Sequence, residues 1–214
     1  MSGLAGLAEL LVLSDSRLPT GGHVHSGGVE EAVTSGLVTD LDGLRAFLIR
    51  RIRTSGLVSA SVAAAVHAGA LSLADADAET DARTPAPAAR AASRAQGRGL
   101  ARLARRAWPE ADWSALGSRP HLAVAAGAVG AAGTLTPEQT ALSLVYTTMT
   151  GSATAAQRLL ALDPGDVAAL TFALAPLCEQ TAAAAAKELA DLSDPLLDVL
   201  AQRHAERDRP LFVS

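Results

Sequence analysis

The sequence predicts an all-α protein, a single-domain bundle of about eight to ten helices. Of its 214 residues, 49% are apolar but only 3% are aromatic. Alanine and leucine, which favour helices, supply much of the apolar content. Capping residues followed by proline mark several helix starts, and no segment alternates apolar and polar residues with the β-branched content of a strand. The length suits one domain with a well-filled core.

Helix starts can be read directly from the chain. Residues 136–139, Thr-Pro-Glu-Gln, combine a capping threonine, a first-turn proline and a capping-box glutamine. The pairs Asp-Pro at 163–164 and 194–195 repeat the cap and proline. With the apolar periodicity, these signals predict helices at 4–13, 28–36, 41–54, 56–72, 87–107, 120–132, 137–161, 165–190 and 195–207.

Two segments do not have a helical pattern. Residues 14–28 contain four glycines and a proline, which predicts a loop with special backbone requirements. Residues 74–84 are acidic and poor in apolar side chains, which predicts an exposed connector or a frayed helix end.

The helix predicted at 87–107 carries the chain's densest positive charge. Its arginines, mostly four residues apart, form a stripe at positions 90, 94, 98, 102, 105 and 106. Gly97 and Gly99 each cost about 1 kcal/mol relative to alanine in a helix interior, which indicates close packing against a neighbour. The stripe has three interpretations: a solvated helix face, an RNA-binding helix, or a face for an acidic protein. Aromatic residues that would stack on RNA bases are absent around it.

Charge and cysteine usage exclude several classes of protein. A net charge of −4 disfavours general affinity for nucleic acid. The single cysteine, Cys178, favours a reducing compartment, and the N-terminus lacks the basic region of a secretory signal. The uncharged stretch between Glu138 and Arg158 is rich in hydroxyl side chains, which favours a buried helix over a membrane span.

No catalytic constellation can be assembled from the sequence, and we expect a protein that is not an enzyme and has no cofactor. His23 and His25 could contribute to a transition-metal site, but two ligands without a third favour a tight turn. Glu30 and Glu31 begin a short helix, where carboxylates favour the helix dipole. We assign no metal ligands, and only the fold could bring His23, His25, His204 and Cys178 together.

The end of the chain is charged and then apolar, and Phe212 is one of only three phenylalanines. An exposed tail is an unfavourable place for such a residue. We therefore expect the tail at about 203–214 to dock on a partner or back on the body.

Four blocks of the sequence stand out together: the N-terminal segment at 10–22 with 25–30, the Ser-x-x-x-Gly-Arg segment within 92–98, the segment 150–160 that ends in Gln-Arg-Leu-Leu, and the tail at 194–212. These blocks resemble the UreF family of urease accessory proteins. They occur in family order and together span nearly the whole chain. His23 and His25 stand where family members usually have aromatic residues.

The resemblance implies an all-helical, dimeric, cytoplasmic adaptor without enzymatic activity of its own. Its partners would be UreD (also called UreH), the GTPase UreG and the urease apoprotein. It would bridge UreD to UreG and gate GTP hydrolysis, so that nickel enters the urease active site. Neither nucleic acid nor a membrane would be a partner. The alternative is a generic helical module that binds proteins or RNA in regulation.

The resemblance also indicates site residues. The expected partner-binding residues are Arg94, Gly97, Arg98, Arg203, His204, Arg207, Leu211 and Phe212. The expected residues of the N-terminal motif loop are Pro19, Gly21, Gly22, His25, Ser26 and Glu30.

Overall fold

A computed structural model of the chain describes residues 5–192 and 194–214. This part of the chain contains ten α-helical segments and no β-strand, so the all-α prediction is confirmed. The segments are α1 Leu7–Leu13, α2 Val29–Thr34, α3 Leu41–Arg51, α4 Leu57–His67, α5 Leu73–Ala82, α6 Pro87–Ala107, α7 Leu122–Ala132, α8 Pro137–Leu160, α9 Pro164–Ala185 and α10 Pro195–Ala205.

Two hydrophobic clusters form the core, and α4 and α8 contribute to both. The first joins α2, α3, α8, α9 and α10 around Met149 and Leu200, which are both fully buried. The second joins α4, α6 and α7 around Val62 and Val124. Small residues allow close approach between helices: a Cβ on Gly127 of α7 would lie 2.5 Å from the carbonyl oxygen of Ala63 on α4.

The predicted caps form as the sequence indicates. The Thr136 side chain accepts from the Gln139 amide, and the Gln139 side chain accepts from the Thr136 amide, which completes a capping box. Asp163 and Asp194 accept backbone N–H groups at the starts of α9 and α10. These side chains satisfy N–H groups that a helix start would otherwise leave without partners.

The predicted helices 41–54 and 56–72 are one continuous helix, so the predicted break at residue 55 is wrong. A π turn at Ile52–Gly56 joins α3 to α4 without leaving the helical path. Gly56 makes this compatible with close packing, because a Cβ there would lie only 3.1 Å from the carbonyl oxygen of Arg51. Such π turns occur often at functional sites.

Residues 74–84 are mostly helix, which corrects the prediction of a connector. Ser72 caps α5 by accepting from the Asp75 amide, and Ala76 and Thr80 are buried. Arg94 on α6 forms ion pairs with Asp77 and Asp81. Arg83, within the segment, also pairs with Glu79. The acidic composition alone did not reveal that the charge is neutralised, because the pairing with Arg94 depends on how α5 packs against α6.

Several helix ends also differ from the predicted ones. α1 begins at Leu7 rather than at residue 4, which lies outside the described residues. α9 ends at Ala185, five residues before its predicted end, and continues through Pro176. Among the described residues, α9 alone has the length and composition that could cross a membrane. It buries Leu170, Leu174 and Cys178 in the first hydrophobic cluster, whereas its Phe172 is 81% exposed.

Candidate functional site

The N-terminal loop and the end of the chain pack against each other. The amide of Val213 donates to the carbonyl of Val24 at 2.7 Å, and the amide of Ser26 donates to the carbonyl of Ser214. The His25 Nδ1 atom lies 2.5 Å from the Ser214 hydroxyl. We call this region, residues 22–31 with 204–214, the loop–tail junction. Of the two alternatives for the tail, the structure shows packing on the body, and docking on a partner stays a prediction.

Glu30 holds the tail through both of its carboxylate oxygens. Oε1 accepts the Leu211 amide at 2.7 Å, and Oε2 accepts the Phe212 amide at 3.0 Å and lies 2.7 Å from His204 Nε2. Glu30 and His204 are only 3% and 1% exposed. Burial alone would raise the pKa of Glu30, but the Leu211 amide, the His204 ring and the Phe212 amide bring it below its ordinary value. The sequence analysis placed Glu30 in the helix dipole and in the N-terminal motif loop, but it did not predict the contacts with the tail.

The tail has an inward and an outward side. Phe212 packs against the first hydrophobic cluster, and Arg207 forms an ion pair with Glu31 at 2.9 Å. Leu211 and Val213 face outward and are 80% and 68% exposed. Arg203 is also exposed. The structure therefore brings the predicted tail residues to one region, but it separates those that hold the tail from those that are open to a partner.

The remaining predicted loop residues lie on both sides of this junction. Ser26 is fully buried, and the Ser152 hydroxyl donates to its carbonyl at 3.0 Å. Pro19 is exposed, and Gly21 and Gly22 are half-buried. The predicted loop thus contains a firmly held inner end at Ser26 and a more open outer part.

Arg94 has an intramolecular role that the sequence did not indicate. Its guanidinium donates to Asp77 Oδ2 and Asp81 Oδ2, both at 2.8 Å, and to the carbonyl of Arg119 at 2.8 Å. Its predicted contact with a partner stays a prediction. The spacing of four between Asp77 and Asp81, opposite a helix of arginines, was the available signal.

His121 completes this cluster from the start of α7. Its Nε2 atom lies 2.8 Å from Asp81 Oδ1, and its Nδ1 atom lies 3.0 Å from the Ser93 hydroxyl. Burial lowers the pKa of His121, although the Asp81 carboxylate opposes that shift. A neutral ring satisfies both contacts, because it donates from Nε2 and accepts at Nδ1. Asp77, Asp81 and His121 are close enough to ligate a metal ion, but Arg94 already binds both carboxylates.

Three other arginines of α6 form an exposed row, whereas Arg90 and Arg105 bind groups within the chain. Arg98, Arg102 and Arg106 follow each other at spacings of four and are exposed. None of the three forms an ion pair with any residue of the segments 5–192 and 194–214. We call these three residues the arginine row. It is available to an acidic partner, whereas Arg94 is occupied.

The two glycines of α6 lie where the backbone of a neighbour comes close. A Cβ on Gly97 would lie 2.7 Å from the carbonyl carbon of His121, and one on Gly99 would lie 2.8 Å from the carbonyl oxygen of Thr20. The predicted close packing at Gly97 is therefore observed, and it is packing within the chain. Through Gly99, the same helix supports the N-terminal loop.

The histidines and the cysteine considered as nickel ligands do not form a common site. Among the described residues, the one group of three potential ligands is the Asp77, Asp81 and His121 cluster. Cys178 is buried against the Met149 sulfur at 3.7 Å. Burial, with a smaller contribution from Glu179, raises the pKa of the Cys178 thiol to about 11, so it is a poor thiolate donor at neutral pH.

A cavity of about 500 Å³ lies beneath the loop–tail junction. The hydroxyl residues of the uncharged helix α8 contribute to its wall, as do Phe212 and Ser214 of the tail. The sequence left open whether these hydroxyl residues line a dimer interface or an internal passage. In the described structure several of them line this cavity, which is partly open to solvent and includes the exposed Thr154: Ser143, Thr147, Thr148, Thr150, Ser152 and Thr154.

Comparisons with known proteins agree with the resemblance in the four blocks. The UreF family profile matches residues 38–175. The chain is 79% identical to the urease accessory protein UreF of Mycolicibacterium vanbaalenii, over 99% of this chain and 100% of that protein. The chain belongs to the UreF family. Its identity to the urease accessory protein UreF of Mycobacterium marinum is 74%, over 97% of this chain and 99% of that protein. Its identity to the urease accessory protein UreF of Mycobacterium tuberculosis is 69%, over 99% of this chain and 100% of that protein.

The loop–tail junction joins two of the blocks that resemble the UreF family. The first and last of the four family-like blocks lie far apart in sequence, and the structure joins them at Glu30. Both blocks lie outside residues 38–175 but within the span shared with the full-length relatives. The junction is thus built from the two ends of a urease accessory protein.

Proposed function

We propose that this chain is a cytoplasmic adaptor of urease maturation that bridges UreD to the GTPase UreG. It supports nickel insertion into apo-urease by making GTP hydrolysis depend on correct assembly. The observation that supports this most strongly is the two-sided tail, which Glu30 holds from within while Leu211 and Val213 stay exposed. The chain itself contributes binding surfaces rather than catalysis.

The tail side is proposed to bind UreD. Exposed apolar residues next to an ordered backbone form a small hydrophobic patch with a polar rim, which suits a protein interface. Because Phe212 and His204 are held by the body, the patch is preorganised, and ordering it on binding costs little entropy. Arg203 and Arg207 belong to the same surface, with Arg207 fixed by Glu31.

The arginine row is proposed to bind UreG. Its three guanidiniums have no ion-pair partners among the described residues, whereas the chain as a whole carries a net charge of −4. Arginine recognises carboxylates through paired hydrogen bonds, which gives an acidic partner surface both orientation and affinity. Arg94 and Gly97 position this helix by binding α5 and by packing closely on the segment before α7. Two copies of the chain in the complex would present these surfaces twice.

Co-expression with urease tests the function as a whole. Apo-urease subunits, UreD and UreG are expressed in a nickel-containing medium with and without this chain, and urease activity is measured. We expect activity only with the chain, and none in a medium depleted of nickel. Equal nickel-dependent activity without the chain would contradict the proposed function.

A further inference from the structure

Arg51 occupies an unusual position at the end of α3. It precedes the π turn, and its guanidinium lies under the N-terminal loop, where Nη1 donates to the carbonyl of Gly27. Gly27 has a φ of +65°, and a Cβ there would overlap the guanidinium. The loop therefore closes over Arg51 only because residue 27 is glycine.

The charge of Arg51 is not neutralised by the chain. No carboxylate among residues 5–192 and 194–214 forms an ion pair with it, whereas the adjacent Arg50 binds Asp194. The Nε atom is buried and has no hydrogen-bond acceptor, while the side chain as a whole is half-buried. Desolvation lowers the pKa of the guanidinium to about 10, so it is still protonated at neutral pH. A half-buried charge without an ion-pair partner is stabilised by an anion that binds its remaining N–H groups.

The cavity beneath the loop–tail junction is the space that Arg51 faces. Arg51 and Ser55 line it together with Thr148, whose methyl group lies beside the π turn. The carboxylates that also line it are engaged elsewhere: Asp15 binds Arg17, Asp194 binds Arg50, and Asp198 accepts the Ala86 amide. The wall near Arg51 thus offers hydrogen-bond donors and a cation without a competing free carboxylate.

We propose that this cavity is a binding site for a small oxyanion, of carboxylate or phosphate chemistry, held by Arg51 beneath the N-terminal loop. A guanidinium binds both classes through paired N–H groups. The carbonyl of Gly27 needs only one N–H donor, and a neutral side chain could supply it. The positive charge of Arg51, which the contact with Gly27 does not require, would be balanced by a bound anion. The site is independent of the nickel-delivery proposal, and it lies where an occupant would also support the tail.

Thermal unfolding of the purified full chain tests the site. Inorganic phosphate, sulfate and acetate are titrated separately at constant ionic strength set with chloride. We expect a saturable rise in Tm with at least one oxyanion. At tenfold the Kd the folding equilibrium constant rises about elevenfold, which corresponds to about 3–6 °C for a chain of this size. The comparison between acetate and the tetrahedral anions identifies the class.

The variants Arg51→Met and Arg45→Met separate a specific site from general charge effects. Arg51→Met should remove the oxyanion-dependent rise, and Arg45→Met, at an exposed position outside the proposed binding surfaces, should keep it. Where Arg51→Met does not fold, Arg51→Lys is used, which keeps the charge but loses the paired donors. Arg51→Lys should raise the apparent Kd for the oxyanion about tenfold relative to the wild-type protein.

Crystals soaked in selenate give a second measurement that needs no variant. We expect an anomalous selenium peak within hydrogen-bond distance of the Arg51 guanidinium. Absence of any saturable oxyanion effect on the wild-type protein overturns the proposal, and so does an effect that persists unchanged in Arg51→Met. A soaked crystal without a peak in this cavity has the same consequence.

Discussion

Glu30 shows how much one buried side chain organises in this protein. Its carboxylate accepts two tail amides and contacts the His204 ring. A buried carboxylate is stabilised only when donors surround it, and here the donors come from residues more than 170 positions away in sequence. The loop and the tail are therefore coupled through this one group.

Replacing Glu30 by glutamine should loosen the tail. An amide group cannot accept at both positions, so we expect a loss of about 1–3 kcal/mol in the free energy of unfolding. Hydrogen exchange at the Leu211 and Phe212 amides should accelerate. The control is Glu206→Gln, at an exposed position without an ion pair among the described residues, which should change stability by less than about 0.5 kcal/mol. Urea unfolding and exchange measured by NMR or mass spectrometry check both variants.

The same residue gives a pH dependence with a defined sign. The pKa of Glu30 is lower in the folded state than its ordinary value of 4.5. The contribution of Glu30 to the free energy of unfolding is therefore complete above pH 4.5, and it is lost as the pH falls through the pKa of the folded state. The stability difference between wild type and Glu30→Gln should shrink over that acidic range. A difference that stays constant from pH 7 to pH 3 would argue against the charged Glu30 anchor.

Gly97 is the second residue whose role can be measured directly. Alanine at this position would place a Cβ 2.7–2.8 Å from the backbone of His121 and Leu122, so we expect a loss of about 1–3 kcal/mol. Gly151→Ala on α8 is the control, since no atom lies within 4 Å of its added Cβ. That change should be neutral or stabilise the protein by up to about 1 kcal/mol. Equal effects of the two substitutions would refute close packing at Gly97.

At the scale of elements, α6 divides its arginines between two tasks. Arg94 joins α6 to α5 and to the segment before α7, while the arginine row faces outward. The sequence predicted the arginine stripe and the close packing at the two glycines, because both follow from the spacing of residues along a helix. It could not separate Arg94 from Arg98, because the difference depends on where α5 packs. The acidic segment that forms α5 was itself misread, because its pairing with Arg94 depends on how α5 and α6 pack.

Single substitutions should separate these two tasks. Arg94→Ala should cost about 1–3 kcal/mol in stability, because it removes charge-assisted hydrogen bonds from half-buried carboxylates. Arg98→Ala should change stability by less than about 0.5 kcal/mol. The double variant Arg98→Glu with Arg102→Glu should fold normally and bind UreG at least tenfold more weakly, most clearly at low salt. Unchanged UreG binding in that variant would remove the role given to the arginine row.

At the scale of the whole molecule, the fold class, the number of helices and the capped starts followed from the sequence. Local signals suffice for these, because a capping box or a first-turn proline acts within one turn. The loop–tail junction required the structure. Its two halves are joined by the burial of Glu30 and His204, and nothing local to either residue distinguishes them from surface residues. The π turn at Ile52–Gly56 was missed because a glycine usually ends a helix, whereas here it permits close packing.

The central claim is that the outward side of the tail binds UreD. The most direct measurement is co-purification of UreD with wild type, with the double variant Leu211→Asp and Val213→Asp, and with the control Leu37→Asp, whose side chain is also apolar and 55% exposed. All three should have the same far-UV circular dichroism and nearly the same Tm. We predict that the double variant loses UreD and fails to activate urease, while the control retains both. A double variant that still co-purifies with UreD and supports nickel-dependent urease activity would contradict the account.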